Sequence, residues 1–208
     1  LTLSSSITFN SPTGEWTLQD SLKISGDIIL TSGALISNNN FIEANAFVSD
    51  NAIVRSADFG TSTINLLVTV NSVSAAWKTN NSITLDVDST TIIFAGSRFY
   101  SGGHTYNNVI SLGKFQGDNP EIDNSTSTDT SRFNNISVTG VGDGFTIGGK
   151  LIIDSIVIQN VGSNHYLRIE TNANCNINYC NIINGRDFQV RDGSDIVIDQ
   201  LRTNGNYV

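Results

Sequence analysis

The stretch Ser101-Gly-Gly-His-Thr-Tyr-Asn-Asn-Val-Ile110 decides the fold. Inside it a large apolar residue is followed by two polar residues and an aliphatic one, Tyr106-Asn107-Asn108-Val109. The unit recurs as Phe133-Asn134-Asn135-Ile136, Ile153-Asp154-Ser155-Ile156, Tyr179-Cys180-Asn181-Ile182 and Ile198-Asp199-Gln200-Leu201. The first positions, 106, 133, 153, 179 and 198, are 27, 20, 26 and 19 residues apart. Periods of about 20–50 residues mark stacked repeats, so each unit reads as one coil of a β-solenoid. The third position holds Asn108, Asn135, Ser155, Asn181 and Gln200. Where two short strands meet at a corner, Asn accepts left-handed or bridge angles at little cost. Stacked coil on coil, these residues are expected to form a polar corner ladder.

Working outward, the composition agrees. Only 14% of the 208 residues are charged, 2 are Pro and Met is absent. β-branched residues favour strands, and Asn, Ser and Gly favour turns. No window holds a helical period. The net charge of -8 argues against a nucleic-acid partner. No 18-residue apolar run exists, so no membrane insertion is expected. The chain starts at Leu1 rather than Met, which suggests a processed or trimmed portion. Cys175 and Cys180 are five apart, and a bend would be needed to bridge them. Two small core residues are the simpler reading.

Toward the N-terminus, Trp16-Thr-Leu18, Leu22-Lys-Ile24, Ile28-Ile-Leu30 and Ala34-Leu-Ile36 are strands too short for a sandwich. They fit the sides of a coil, with corners at Gly26, Gly33 and Asn38-Asn39-Asn40. Residues 1–14 suit a cap strand. Ser74-Ala-Ala-Trp77 reads as a small loop anchored by an aromatic. Residues 113–131 are polar and long enough for an excursion loop, and insertions in repeat proteins often build the binding face. Asp118, Glu121, Asp123 and Asn124 are its binding candidates. One domain of eight to ten coils, a right-handed parallel β-helix, covers 1–208.

Six segments carry a family resemblance: Gly14-Glu-Trp-Thr-Leu18, Thr31-Ser-Gly33, Phe59-Gly-Thr-Ser-Thr63, Ser74-Ala-Ala-Trp77, Ser89-Thr-Thr-Ile-Ile-Phe94 and Gly102-Gly-His-Thr-Tyr-Asn-Asn-Val109. In this order the chain resembles repetitive parallel β-helix proteins of tailed-phage virions and bacterial surfaces. The resemblance covers about residues 14–185. It implies a non-enzymatic structural or adhesive role in a phage tail fibre or spike. The implied setting is the virion, with a host-surface glycan or protein and other virion proteins as partners. A bacterial cell-surface adhesin and a tailspike-type glycan depolymerase are the alternatives. Packing around a long axis suggests a homotrimer.

Candidate chemistry is sparse. Asp154 and Asp199 share a position in their units, two coils and about 10 Å apart, with Cys180 as the intervening equivalent. That is near the upper end of the separation used by inverting glycosidases, so they are the only catalytic lead. Asp86 and Asp88 share one face of a strand and are the only metal candidates; outward, solubilising aspartates explain them as well. His104 reads as a turn histidine. No cofactor motif is present, and no cofactor is expected.

Overall fold

The computed structural model describes residues 2–68, 75–95, 98–113, 120–125, 127–140, 144–160, 166–183 and 187–203. Among them the chain is all β-strand, turn and bend, and every strand pairing is parallel. The solenoid has three faces. Face A is a ten-stranded sheet: Thr2–Leu3, Leu22–Ile24, Ile42–Ala44, Thr63–Leu66, Thr91–Phe94, Thr105–Ser111, Ser131–Gly140, Lys150–Asn160, Asn174–Ile183 and Asp195–Thr203. Its ten rungs lie within the eight to ten coils expected from the repeat.

Face B stacks the first parts of Ile7–Thr17 and Ile28–Ile36 on Phe47–Ser49, Ala75–Thr79, Arg98–Tyr100 and Glu121–Asp123. Gly144–Gly148, Tyr166–Ile169 and Asp187–Val190 continue it. Face C stacks the second parts of Ile7–Thr17 and Ile28–Ile36 on Arg55–Asp58 and Ile83–Asp86. From Thr105 onward one bent strand per coil supplies faces C and A together.

Alternation drives the packing. In Leu22-Lys23-Ile24 and Ile42-Glu43-Ala44 the flanking apolar residues are buried and the central charge faces out. Stacking then places like beside like. Ile153, Ile177 and Ile198 share one inward row, and Ile156, Cys180 and Leu201 another. The middle of the core is aromatic. Trp77 stacks on Phe99 at 5.6 Å between ring centroids, and Tyr106 stacks on Phe133 at 5.0 Å. Such pairs add to the area they bury.

Residues 2–17 form the end coil of the stack, in parallel register on the second. Several expectations are corrected. Ala75–Thr79 is a strand rather than a loop, because Ala75, Trp77 and Thr79 turn inward and Trp77 is fully buried. Within 113–131, Glu121–Asp123 is a rung of face B with Ile122 in the core, so the coil does not leave the stack there. The fourth repeat unit is out of register by two. The residue level with Ser155 and Gln200 is Tyr179, not Asn181, and Asn178 rather than Cys180 stands between Asp154 and Asp199. In true register the spacings from 106 to 133, 153, 177 and 198 are 27, 20, 24 and 21 residues. Both Ile177-Asn-Tyr-Cys180 and Tyr179-Cys-Asn-Ile182 fit an apolar–polar–polar–apolar search, and only burial separates them.

The corner ladder exists without left-handed backbone. Asn135 Nδ2 donates to Asn108 Oδ1 at 3.1 Å, and Asn134 Nδ2 to Asn107 Oδ1 at 3.2 Å. Among the described non-glycine residues only Asn38, Asn39 and Asn172 have positive φ. The first two confirm the Asn38-Asn39-Asn40 corner.

Candidate functional site

The predicted binding residues divide. Asp118 lies outside the described residues. Asn124 is only 1% exposed and is a structural clamp. Its Oδ1 accepts from Gly103 N at 3.0 Å, Ser131 Oγ at 3.1 Å and Ser101 Oγ at 3.3 Å. Its Nδ2 donates to the carbonyls of Asp129 and Lys150 at 2.6 and 3.0 Å. An amide so fully occupied has nothing left for a ligand. Glu121 and Asp123 do face outward, on the flat outer surface of face B.

That surface carries two polar rows. Parallel register stacks Arg98, Glu121, Thr146, Arg168 and Gln189 in one, and Tyr100, Asp123 and Gly148 in the other, which Lys78 extends. Arg98 Nε lies 3.0 Å from Glu121 Oε2, and Arg98 Nη1 donates to the Tyr100 hydroxyl at 2.9 Å. The Arg168 guanidinium sits 4.3 Å from the Tyr166 ring centroid and donates to Gln189 Oε1 at 3.1 Å. Arg191 pairs with Glu170 at 3.2 Å, and Lys78 with Asp50 at 2.5 Å. Burial pushes the Glu121 carboxyl above its ordinary range against the pull of Arg98, and Asp123 and Glu170 add to the rise. At one end of the rows a hollow of about 320 Å³ is bounded by Asp27, Asn45, Val48, Lys78 and Tyr100. This is the lower end of the volume range of small-molecule sites. Planar donors, carboxylate acceptors and tyrosine rings are the groups that hold a polyhydroxylated chain.

Reading the sequence missed these rows, although a signal was there. Arg98-Phe-Tyr100, Glu121-Ile-Asp123, Thr146-Ile-Gly148, Arg168-Ile-Glu170 and Gln189-Val-Arg191 are five triplets with an apolar residue between two residues of the outer rows; Phe99, Ile122, Ile147 and Ile169 are buried, Val190 is exposed, and Thr146 is itself covered. They recur from 98 to 121, 146, 168 and 189, a coil apart each time.

The other candidates are scattered. Asp154 and Asp199 are exposed, two rungs apart, and Asp154 Oδ1 accepts from the intervening Asn178 at 2.9 Å. Asp86 and Asp88 are exposed and joined by the Asp88 N–H donating to Asp86 Oδ1 at 3.4 Å. Among the described residues no group of three His, Cys, Asp or Glu has metal-binding geometry. His104 is a turn residue, with Nε2 at 2.9 Å from the Asn80 carbonyl; burial lowers its pKa. Asn80 itself is held by the carbonyls of Asp50 and Asn51 at 2.6 and 2.9 Å. Arg55, unremarked in the sequence, is buried, and its hydrogen bonds go to neutral acceptors, among them Ser49 Oγ at 2.5 Å and the Asn51 carbonyl at 2.8 Å. It ties the loop after Ser49 to Asn80 of the next coil.

Compared with protein-family models, with curated proteins and with solved structures, the chain matches none.

Proposed function

We propose that this chain is a non-enzymatic structural and adhesive module whose face B holds a surface glycan. The paired polar rows of face B carry the reading. They are displayed on a rigid stack in which every rung is hydrogen-bonded to the next, so little ordering is needed on binding. The row spacing of about 4.8 Å per rung suits a chain of sugars lying along the axis. A setting in a phage tail fibre or spike, or in a bacterial adhesin, is supported by the sequence resemblance described above. The 113–131 segment contributes through Glu121 and Asp123 on that face.

The test is binding of the intact protein to purified capsular and lipopolysaccharide glycans, with reducing ends assayed in parallel. Tyr100→Ala and Arg168→Ala are expected to weaken binding tenfold or more, with no release of reducing ends. Glycan cleavage abolished by Asp154→Ala would replace the adhesive reading with a depolymerase. Binding indifferent to both face B variants would remove face B from the proposal.

A further inference from the structure

Face A has a feature that glycan binding does not use. Its central outward row is defined by register: Glu43, Asn65, Ile93, Ile110, then Ser137, Val157, Asn181 and Arg202. Charge appears only toward the ends of this row, on Lys23 and Glu43 at one and Arg202 at the other. Six consecutive rungs between them are uncharged, and Ile93, Ile110 and Val157 are half-exposed on an open sheet surface. The flanking row that carries Thr91, Asn108, Asn135 and Ser155 is uncharged as well. Loss of charge at the centre with charge at the rim is the composition of a protein interface.

We infer that face A is covered by a second copy of this chain, packed antiparallel about a two-fold axis parallel to the strands. That axis keeps each row facing its own counterpart and reverses the rung order. The midpoint of the row lies between Ile110 and Ser137. Glu43 of one copy then meets Arg202 of the other, Asn65 meets Asn181, Ile93 meets Val157 and Ile110 meets Ser137. A parallel arrangement would instead set Glu43 against Glu43 and Arg202 against Arg202. A one-rung slip in one direction sets Lys23, one rung beyond Glu43, against Arg202, and a slip in the other parts Glu43 from Arg202. Eight rungs at about 4.8 Å and a width of about 17 Å cover roughly 570 Å² per copy, enough in total to clear the ~1,000 Å² of a specific interface.

Light scattering on the full chain is expected to give twice 22.4 kDa at micromolar concentration. Glu43→Arg or Arg202→Glu alone should raise the dimer dissociation constant about tenfold, and the double exchange should restore it. Ile110→Arg should give a monomer with an unchanged far-ultraviolet circular dichroism spectrum. A monomer throughout, a mass of three copies, or single exchanges without effect would overturn the proposal. So would single exchanges that the double exchange fails to rescue.

Discussion

The coils before Ser101 and those after it solve the same problem differently. Before it, faces C and A are separate short strands joined by turns, and positive φ falls at that corner, on Asn38, Asn39 and Gly60, and at Gly33, where Ile28–Ile36 bends from face B to face C. After it, faces C and A fuse into bent strands of 7 to 11 residues. Positive φ then concentrates at the corner between faces B and C, on Gly102, Gly103, Gly149, Asn172 and Gly193, with Gly140 at the end of a face A strand. The change happens in the stretch quoted at the outset. Gly102 and Gly103 turn the chain, and a Cβ on Gly102 would lie 2.7 Å from the Thr79 carbonyl carbon of the coil before. The cores differ as well. Phe47, Phe59, Trp77, Phe94, Phe99, Tyr106 and Phe133 form a continuous aromatic stack around the change of pattern. Beyond it, Ile, Leu and Cys rows take over. An irregular region needs large side chains to fill uneven space, whereas regular rungs are filled by repeating one aliphatic shape.

The largest effect is expected where the two patterns meet. Trp77 is fully buried, and its Nε1 donates to the Tyr106 hydroxyl at 3.1 Å. Trp77→Ala should lower stability by about 3–5 kcal/mol in urea titration. The alanine truncation in the regular region, Ile177→Ala, should fall toward the lower end of the about 2–5 kcal/mol of such changes. Equal losses would erase the distinction.

Asn124→Ala comes next. It removes the amide donor to the Asp129 and Lys150 carbonyls, while the Gly103 N–H keeps its bond to Ser131 Oγ at 2.9 Å, and about 2–3 kcal/mol should be lost. Hydrogen exchange should locate the loss in the coils on either side of Gly103.

A smaller effect tests the aliphatic region. Burial pushes the Cys175 thiol up to about 12 and Cys180 up to about 11. Above pH 9 the unfolded chain releases these protons first, so stability should fall as pH rises from 9 toward 12. Cys175→Ala/Cys180→Ala should flatten that slope, leaving a remainder from Tyr106, whose hydroxyl is also raised by burial. At pH 8 both thiols should react with an aromatic disulfide reagent only as fast as the fold opens.

The smallest effect tests register. Tyr179→Asn, on the corner ladder, should change stability by less than about 0.5 kcal/mol and preserve the fold. A two-residue register error would instead bury residue 179 and make the change severe.

The sequence by itself determined the fold class, since short β-branched runs between Asn, Ser and Gly corners, at a coil-length period, admit no helix and no long-stranded sandwich. It also determined four of the five ladder positions, because an inward apolar residue brackets each. Only the tertiary structure decided the rest. The unit at 177–180 and its shadow at 179–182 have the same polarity pattern, so burial had to choose between them. Asn124 looked like a solvent residue in an Asn-rich loop until five hydrogen bonds, three from the coils on either side and two from its own, closed around it. The rows on faces A and B belong to residues 17 to 28 positions apart in the chain. Their neighbours are set by strand register, which local sequence does not encode.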